Sequence, residues 1–134
     1  MSDSNQPLIL VVDDEPDIIS ILSTKLEAAG MRVQSAANGK EAIESAKKEH
    51  PDLIVMDVRM PVMSGTEAIT KIKEDPALKD TKVVFLSNFG EEEEINAWID
   101  QKYAREMGAV DYLKKSEDLG KIVGKIQQLL NAKG

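Results

Sequence analysis

Short apolar segments that fit β-strands recur five times along the chain. Leu8–Val12, Leu53–Met56 and Lys82–Leu86 are nearly continuous apolar runs, as expected of strands buried on both faces of a sheet. Met31–Ala36 roughly alternates between apolar and polar residues, which is typical of a strand nearer a sheet edge, and Val110–Leu113 is a short fifth run. The pattern therefore predicts a sheet of five strands.

The stretches around these strands repeat their apolar residues at the spacing of helices. The predicted helices are Asp17–Ala29, Asn38–His50, Gly65–Asp75, Glu91–Met107 and a last one from about Glu117 to Ala132. The inward stripe of the first helix is predicted to be Ile18, Ile19, Ile21, Leu22, Leu26 and Ala29. Strands that alternate with helices indicate a parallel sheet, because right-handed crossovers then place helices on both of its faces.

Length and composition narrow the classes of protein that the chain can be. Its 134 residues are enough for one domain with a substantial core, and the absence of cysteine excludes disulfides and thiolate zinc sites. The net charge of −7 argues against direct nucleic-acid binding, and no apolar run approaches the roughly 18 residues needed to span a membrane. We therefore expect a cytoplasmic protein with a flexible tail over residues 1–6, one domain over residues 7–132 and no output domain.

Polar side chains follow the carboxyl ends of several predicted strands. They are Asp13 and Asp14 after the first strand, Asp57 after the third, Ser87 after the fourth, and Lys114 and Lys115 after the fifth. Open parallel sheets place ligands at this edge, so we expect these groups to converge there. Taken alone, Asp57 could equally be a residue that ends a strand and caps a loop.

Three converging carboxylates repel one another unless positive charge lies between them. A hard divalent cation with oxygen ligands, with Mg²⁺ as the first candidate, would supply that charge, and a lysine would add to it. Such a site could hold a phosphoryl group, with the serine hydroxyl donating a hydrogen bond and a carboxylate as the attacking group. The constellation therefore points to Mg²⁺-dependent phosphoryl chemistry.

The motifs along the chain resemble those of one family, the receiver domains of bacterial two-component response regulators. The matching segments, in the order of the family pattern, are Val12-Asp13-Asp14-Glu15-Pro16, Asp52-Leu53, Met56-Asp57-Val58-Arg59-Met60-Pro61, Ser64-Gly65, Leu86-Ser87, Gly108-Ala109, and Asp111-Tyr112-Leu113 followed by lysine. The resemblance covers about residues 7–132. It implies a doubly wound (βα)5 flavodoxin-like fold, with five parallel strands in the order 2-1-3-4-5 and helices on both faces.

The resemblance also implies roles for the residues around Asp57. Asp57 would be the phosphoacceptor, taking a phosphoryl group from the phosphohistidine of a sensor histidine kinase or histidine phosphotransfer protein, or from a small phosphodonor. Asp13 and Asp14 would hold Mg²⁺ together with Asp57 and the backbone carbonyl of Arg59. The chain would then be a signalling switch rather than an enzyme, and it would catalyse only its own phosphorylation and dephosphorylation.

In the family pattern, a serine and a lysine bind the phosphoryl oxygens. Ser87 would be the serine, and the pattern of aromatic, Leu, any residue, Lys makes Lys115 the site lysine and Lys114 its exposed neighbour. Tyr112 would be the aromatic switch that swings inward as Ser87 moves toward the phosphoryl group; a half-buried strand tyrosine is the alternative. The change would control an unidentified partner, or a dimer, through the fourth helix, the fifth strand and the fifth helix.

Two features depart from the family pattern on the far side of the site. Ser116 replaces the usual proline after Lys115; a cis peptide before serine costs about 2.5–4 kcal/mol, so this bond is predicted to be strained cis, or trans with the loop moved. Ser116 could also cap the last helix. About six extra residues within Asn88–Met107 predict a fourth helix roughly one and a half turns longer than usual, which would alter the partner surface.

Two rival functions and one isolated residue complete the sequence-based interpretation. A haloacid-dehalogenase-like phosphatase would carry Asp-x-Asp after its first strand, whereas this chain has the adjacent Asp13 and Asp14. A pseudo-receiver would have the fold without phosphorylation, and the complete set of site residues argues against it. His50, the single histidine, is interpreted as a solvated loop residue rather than a relay or metal-binding residue.

Overall fold

The computed structural model describes residues 6–57, 65–87, 109–114 and 118–131. They form the expected α/β fold, a parallel sheet of five strands in the order β2-β1-β3-β4-β5 with helices against both faces. In chain order the elements are β1 (Leu8–Val12), α1 (Pro16–Ala28), β2 (Arg32–Ala36), α2 (Gly39–Glu49), β3 (Leu53–Asp57), α3 (Gly65–Glu74), β4 (Lys82–Ser87), β5 (Asp111–Lys114) and α4 (Leu119–Asn131). The order places β1, β3 and β4 inside the sheet and confirms the expectation for the second strand, which lies at an edge.

The side chains of each interior strand divide between two apolar layers. In β4, Val83 and Phe85 pack in the layer of α2 and α3, whereas Val84 and Leu86 pack in the layer of α1 and α4. The same alternation holds in β1 and β3, because successive side chains of a strand point to opposite faces of the sheet. Both faces of these strands are therefore buried, which explains why the sequence runs are apolar throughout.

The buried face of α1 is narrower than the sequence-based stripe. Leu22 and Leu26 are buried and Ile18 is partly buried, but Ile21 is 47% exposed. Successive residues of a helix lie about 100° apart, so Ile21 stands at the flank of the stripe rather than within it. Ala29, also predicted to face inward, is the exposed residue that caps the carboxyl end of the helix.

The two ends of α2 are defined by local hydrogen bonds. The Asn38 side chain accepts the backbone N–H of Glu41 at 2.9 Å, and the Glu41 carboxylate accepts from the Asn38 side-chain amide and the backbone N–H of Ala37. This reciprocal arrangement resembles a capping box, except that the glutamate accepts from the Asn38 side chain and the Ala37 N–H instead of the Asn38 backbone N–H. The helix ends at Glu49, and the exposed His50 follows in the left-handed conformation with φ of 50°.

The last helix, α4, begins at Leu119, two residues later than predicted, and Asp118 caps it. Asp118 accepts the backbone N–H of Gly120 on its carboxylate at 2.7 Å, and its carbonyl accepts the N–H groups of the following turn. Aspartate is among the strongest residues at this position. Residues 115–117, which include Lys115 and Ser116, and the predicted fourth helix at residues 91–107 lie outside the described residues.

The amino edge of the sheet, where the strands begin, is fastened by a carboxylate. Asp52, just before β3, accepts the backbone N–H of Leu8 on its side chain at 2.7 Å. The backbone N–H of Asp52 donates to the carbonyl of Leu8 at 2.8 Å. One residue thus joins the starts of β1 and β3, which are 44 positions apart in sequence.

Two lysines make comparable connections at the start of β4. The Lys73 ammonium of α3 donates to the carbonyls of Lys79 and Thr81 at 3.0 and 2.9 Å, which ties the helix to the turn that leads into the strand. The ammonium of Lys82, the first residue of β4, donates to the carbonyl of Leu129 in the last turns of α4. Both lysines therefore join a helix to the start of the same strand.

Candidate functional site

Asp13 lies at the carboxyl edge of the sheet, directly after β1. Its backbone N–H donates to the carbonyl of Ala36 at 3.1 Å, which continues the pairing of β1 with β2 by one residue. One carboxylate oxygen accepts the backbone N–H of Glu15 at 2.9 Å, so the side chain is oriented by the turn that leads into α1. With 1% exposure, Asp13 is a buried acid held in a defined orientation.

Asp57 is the last residue of β3 and lies beside Asp13. The pairing of Val12 with Met56 brings the next residue of each strand to the same level of the sheet. Asp57 pairs with Leu86 of β4 on its other side, and it is only 5% exposed. A carboxylate flanked by two neighbouring strands in this way is at the position where open parallel sheets bind ligands.

Asp13, Asp14 and Asp57 together form an acidic cluster. One carboxylate oxygen from each lies within 4.8 Å of the others, with Asp13 and Asp57 buried and Asp14 exposed. Two like charges about 4 Å apart repel by roughly 4 kcal/mol at the effective dielectric constant near a protein surface. A hard cation that prefers oxygen ligands would remove this repulsion, so the donor set fits Mg²⁺ or a similar ion.

The backbone of Ser87 reaches the same edge. It is the last residue of β4 and follows Leu86, which pairs with Asp57. Ser87 itself pairs with Lys114, the last residue of β5. The end of β4, which carries the predicted hydroxyl, thus neighbours Asp57, and the end of β5, which leads to the predicted lysine pair, lies one strand further along the same edge.

Of the remaining predicted site residues, one lies in a described strand and the others lie outside the described residues. Tyr112 lies in β5 and pairs with Phe85 of β4, two residues before the carboxyl ends of both strands. Arg59 and Lys115 lie outside the described residues, so their roles, and the choice between Lys114 and Lys115, stay predictions. The described part of the site therefore comprises the three aspartates and the backbone positions of Ser87 and Tyr112.

Sequence reasoning missed the lysines at the amino edge. Burial lowers the pKa of the Lys73 ammonium below its ordinary value of 10.5, and the negative charge of Asp80 opposes that shift. Neither Lys73 nor Lys82 stands in a motif or at a strand end that faces the site; Lys73 donates to carbonyls six and eight positions further along the chain, and Lys82 to a carbonyl 47 positions away. Only the docking of α3 and α4 on the sheet reveals them.

Comparison with known proteins identifies the family. The family model of the response regulator receiver domain matches residues 9–127, nearly the whole chain. The chain belongs to this family. Membership places the receiver domain in phosphorylation-dependent two-component signalling and confirms the resemblance carried by its motifs.

Curated relatives and solved structures agree with this assignment. The receiver domain is 35% identical over 129 residues to the transcriptional regulatory protein PrrA of Mycobacterium tuberculosis, which covers 96% of this chain and 52% of PrrA. It is 38% identical over 120 residues to an "uncharacterized 14.6 kDa protein in sodA1 3′ region" of Leptolyngbya boryana, covering 90% of this chain and 87% of that protein. The structure of the chemotaxis response regulator CheY4 of Vibrio cholerae superposes with a TM-score of 0.81 at 29% identity, covering 93% and 99% of the two chains.

The similarity to PrrA concerns only part of that protein. The receiver domain spans about half the length of PrrA, so the name of that protein describes a larger molecule. Within the described ranges, every helix is too short or too polar to span a bilayer.

Proposed function

We propose that this receiver domain accepts a phosphoryl group on Asp57 and thereby switches the surface that it offers to a partner. The observation that carries the proposal is the buried Asp57 at the end of β3, with the carboxylates of Asp13 and Asp14 within 4.8 Å. The phosphoryl donor would be the phosphohistidine of a sensor histidine kinase or of a histidine phosphotransfer protein. An oxygen of Asp57 attacks phosphorus, the new O–P bond forms as the N–P bond breaks, and the donor imidazole leaves.

The acidic cluster would hold Mg²⁺. Asp13, Asp14 and Asp57 supply carboxylate oxygens, and the backbone carbonyl of Arg59 is the further oxygen that the family pattern assigns. Bound there, the ion would supply positive charge to the oxygens of the transferring phosphoryl group. The hydrogen bond from the backbone N–H of Glu15 orients the Asp13 carboxylate for this task.

The response to phosphorylation would involve Ser87 and Lys115 as the groups that bind the phosphoryl oxygens, with Tyr112 following Ser87 inward. Support comes from the strand ends, because β4 and β5 deliver Ser87 and Lys114 next to the residue that pairs with Asp57. Lys115→Ala is expected to impair phosphorylation-dependent switching, whereas Lys114→Ala is not. The reverse result would overturn the assignment of the lysine.

The partner would be a protein that recognises the surface of the 91–107 segment, β5 and α4, or a second copy of the chain bound through that surface. The net charge of −7 supports a protein partner over direct nucleic-acid binding. The domain would catalyse only its own phosphorylation and dephosphorylation. Its cytoplasmic location stays a prediction.

Incubation with acetyl phosphate and Mg²⁺, followed by intact-protein mass spectrometry, tests the proposal. The chain should gain the mass of one phosphoryl group, and Asp57→Asn should gain none. Asp52→Asn is the matched control, because it changes an aspartate five residues away at the opposite edge of the sheet and should still be phosphorylated. Chelation of Mg²⁺ should abolish the gain in both reactive proteins.

Two results would contradict the proposal. A phosphoryl group on Asp57→Asn would place the acceptor elsewhere. A wild-type chain that takes no phosphoryl group from either a small donor or a phosphohistidine protein would be a pseudo-receiver.

A further inference from the structure

The start of β4 is held from both sides of the sheet. On one side, the carbonyl of Thr81, directly before the strand, accepts from the ammonium of Lys73 in α3. On the other side, Lys82 at the first position of the strand donates to the carbonyl of Leu129 in α4. Thr81 and Lys82, which are adjacent at the start of β4, are thus tied to two different helices.

The two helices belong to opposite layers. Ile69 and Ile72 of α3 pack in one apolar cluster, whereas Ile122 and Ile126 of α4 pack in the other. Thr81 and Lys82 therefore stand where the sheet, the α3 layer and the α4 layer are joined by charged side chains. The opposite end of the same strand is Ser87, one residue beyond the partner of Asp57.

Each connection has a physical reason to be firm. Hydrogen bonds that involve an ionised donor are stronger than those between neutral groups. The carbonyl of Leu129 is among the last four of its helix, which have no intrahelical partner, and cations are favoured at this end of the helix dipole. Lys73 binds two carbonyls of the turn between α3 and β4, so it fixes the turn as well as the strand.

We propose that Lys73 and Lys82 form a clamp on β4, which fixes the amino end of the strand to both helix layers and confines the phosphorylation response to its carboxyl end. The inference rests on the proposed function, because it concerns the strand that carries Ser87 to the phosphorylation site. Without the clamp, a displacement of Ser87 toward the phosphoryl group would move the whole strand and would reach the last turns of α4 through Lys82. With the clamp, the displacement stays confined to the residues near Ser87.

Hydrogen exchange with and without acetyl phosphate and Mg²⁺ tests the clamp in the full chain. The variants are Lys82→Met, Lys73→Met and the double variant, and the control is Lys71→Met/Lys125→Met, which removes two exposed lysines from the same two helices. In the wild type and the control, phosphorylation should change exchange near Ser87 and leave residues 82–84 and 127–131 unchanged. In the double variant, exchange at residues 82–84 and 127–131 should also change on phosphorylation, by a factor comparable with the change near Ser87.

The comparison of phosphorylated and unphosphorylated protein separates a switch element from a purely structural contact. A structural contact would raise exchange equally in both states of the double variant, and that result would overturn the clamp. So would a phosphorylation-dependent change at residues 127–131 of the wild type. The single variants retain one connection each, and a phosphorylation response that spreads only on the released side would support the clamp even if the double variant is poorly folded.

Mass spectrometry of the same samples distinguishes this inference from the one on which it rests. If no phosphoryl group is found on the wild-type chain, both proposals are overturned. If the chain is phosphorylated and the response reaches residues 82–84 regardless of the lysines, only the clamp is overturned.

Discussion

The two edges of the sheet use the same kinds of charged side chain in opposite ways. At the amino edge, Asp52, Lys73 and Lys82 each bind backbone groups of another segment. At the carboxyl edge, the acidic cluster brings three carboxylates within 4.8 Å of one another, two of them buried. The hydrogen bonds of the first edge stabilise the fold, whereas the charge repulsion at the second destabilises it until a cation binds.

The largest difference should appear when carboxylates of the two edges are neutralised without metal. In chelator-containing buffer at neutral pH, Asp57→Asn should raise the free energy of unfolding by about 2 kcal/mol, because repulsion from Asp13 and Asp14 is lost. Mg²⁺ should stabilise the wild type and have a smaller effect on the variant. Urea denaturation with and without Mg²⁺ measures both changes, and a destabilised Asp57→Asn in the metal-free protein would contradict the comparison.

Asp52 should respond with the opposite sign. Asp52→Ala should lower the free energy of unfolding by about 1.5 kcal/mol, because the N–H of Leu8 loses its charged acceptor. Asp52→Asn keeps an oxygen acceptor and should recover part of that loss. Parallel urea denaturation decides the matter: if Asp52→Asn and Asp57→Asn both stabilise the metal-free protein, the two edges do not differ as proposed.

Lys73 gives the amino edge a dependence on alkaline pH. Lys73→Met should cost about 1 kcal/mol at neutral pH, because two hydrogen bonds to carbonyls are lost. Burial lowers the pKa of Lys73, so between its folded-state pKa and the ordinary value of 10.5 the unfolded chain binds more protons than the folded one. The free energy of unfolding contributed by Lys73 should therefore rise with pH in that window.

Thermal denaturation from pH 8 to pH 10.5 checks this dependence against Lys71→Met, an exposed lysine of the same helix. The stability difference between wild type and Lys73→Met should widen with pH, while that between wild type and Lys71→Met should stay flat. If the stability difference between wild type and Lys73→Met narrows with pH, the folded protein favours the protonated form of Lys73, which would contradict the prediction.

The smallest effect lies within α4, which starts near the carboxyl edge and ends near the amino edge. A methyl group at Gly124 would meet no atom within 4 Å, so Gly124→Ala should raise the free energy of unfolding by about 0.8 kcal/mol. A methyl group at Gly120 would lie 3.0 Å from the Asp118 oxygen that caps the helix, so Gly120→Ala should gain less or lose stability. Equal gains from both variants, measured by urea denaturation, would show that this cap yields freely.

Most of the sheet could be predicted because its strands are buried on both faces and so exclude polar residues. Each predicted strand differs from the observed one by no more than a residue at either end, as Lys82–Leu86 does from Lys82–Ser87. The acidic cluster followed from topology, since parallel strands deliver their carboxyl ends to one edge. Burial of α1 was less predictable at Ile21, because the width of a buried stripe depends on what packs against the helix.

The fastenings of the amino edge could not be predicted from the sequence. Lys82 and Leu129 are 47 positions apart, and nothing local marks either as a partner of the other. The cap that Asp118 provides for α4 was missed for a different reason, because more than one short polar residue precedes this helix and only the position of the first helical turn identifies Asp118. Contacts fixed by the docking of elements, rather than by periodicity, are the ones that sequence reasoning misses.

The joining of β1 to β3 also has a consequence for the newly synthesised chain. Asp13 and Asp57 are 44 positions apart, as are Leu8 and Asp52, so the carboxylates meet only after a long loop has closed. Closing such a loop costs about 3 kcal/mol in chain entropy, which the apolar core must offset before the cluster exists. A nascent chain on the ribosome thus cannot assemble a cation site until β3 has emerged and paired with β1. The chain therefore cannot react with phosphoryl donors at this site before the interior of the sheet has formed.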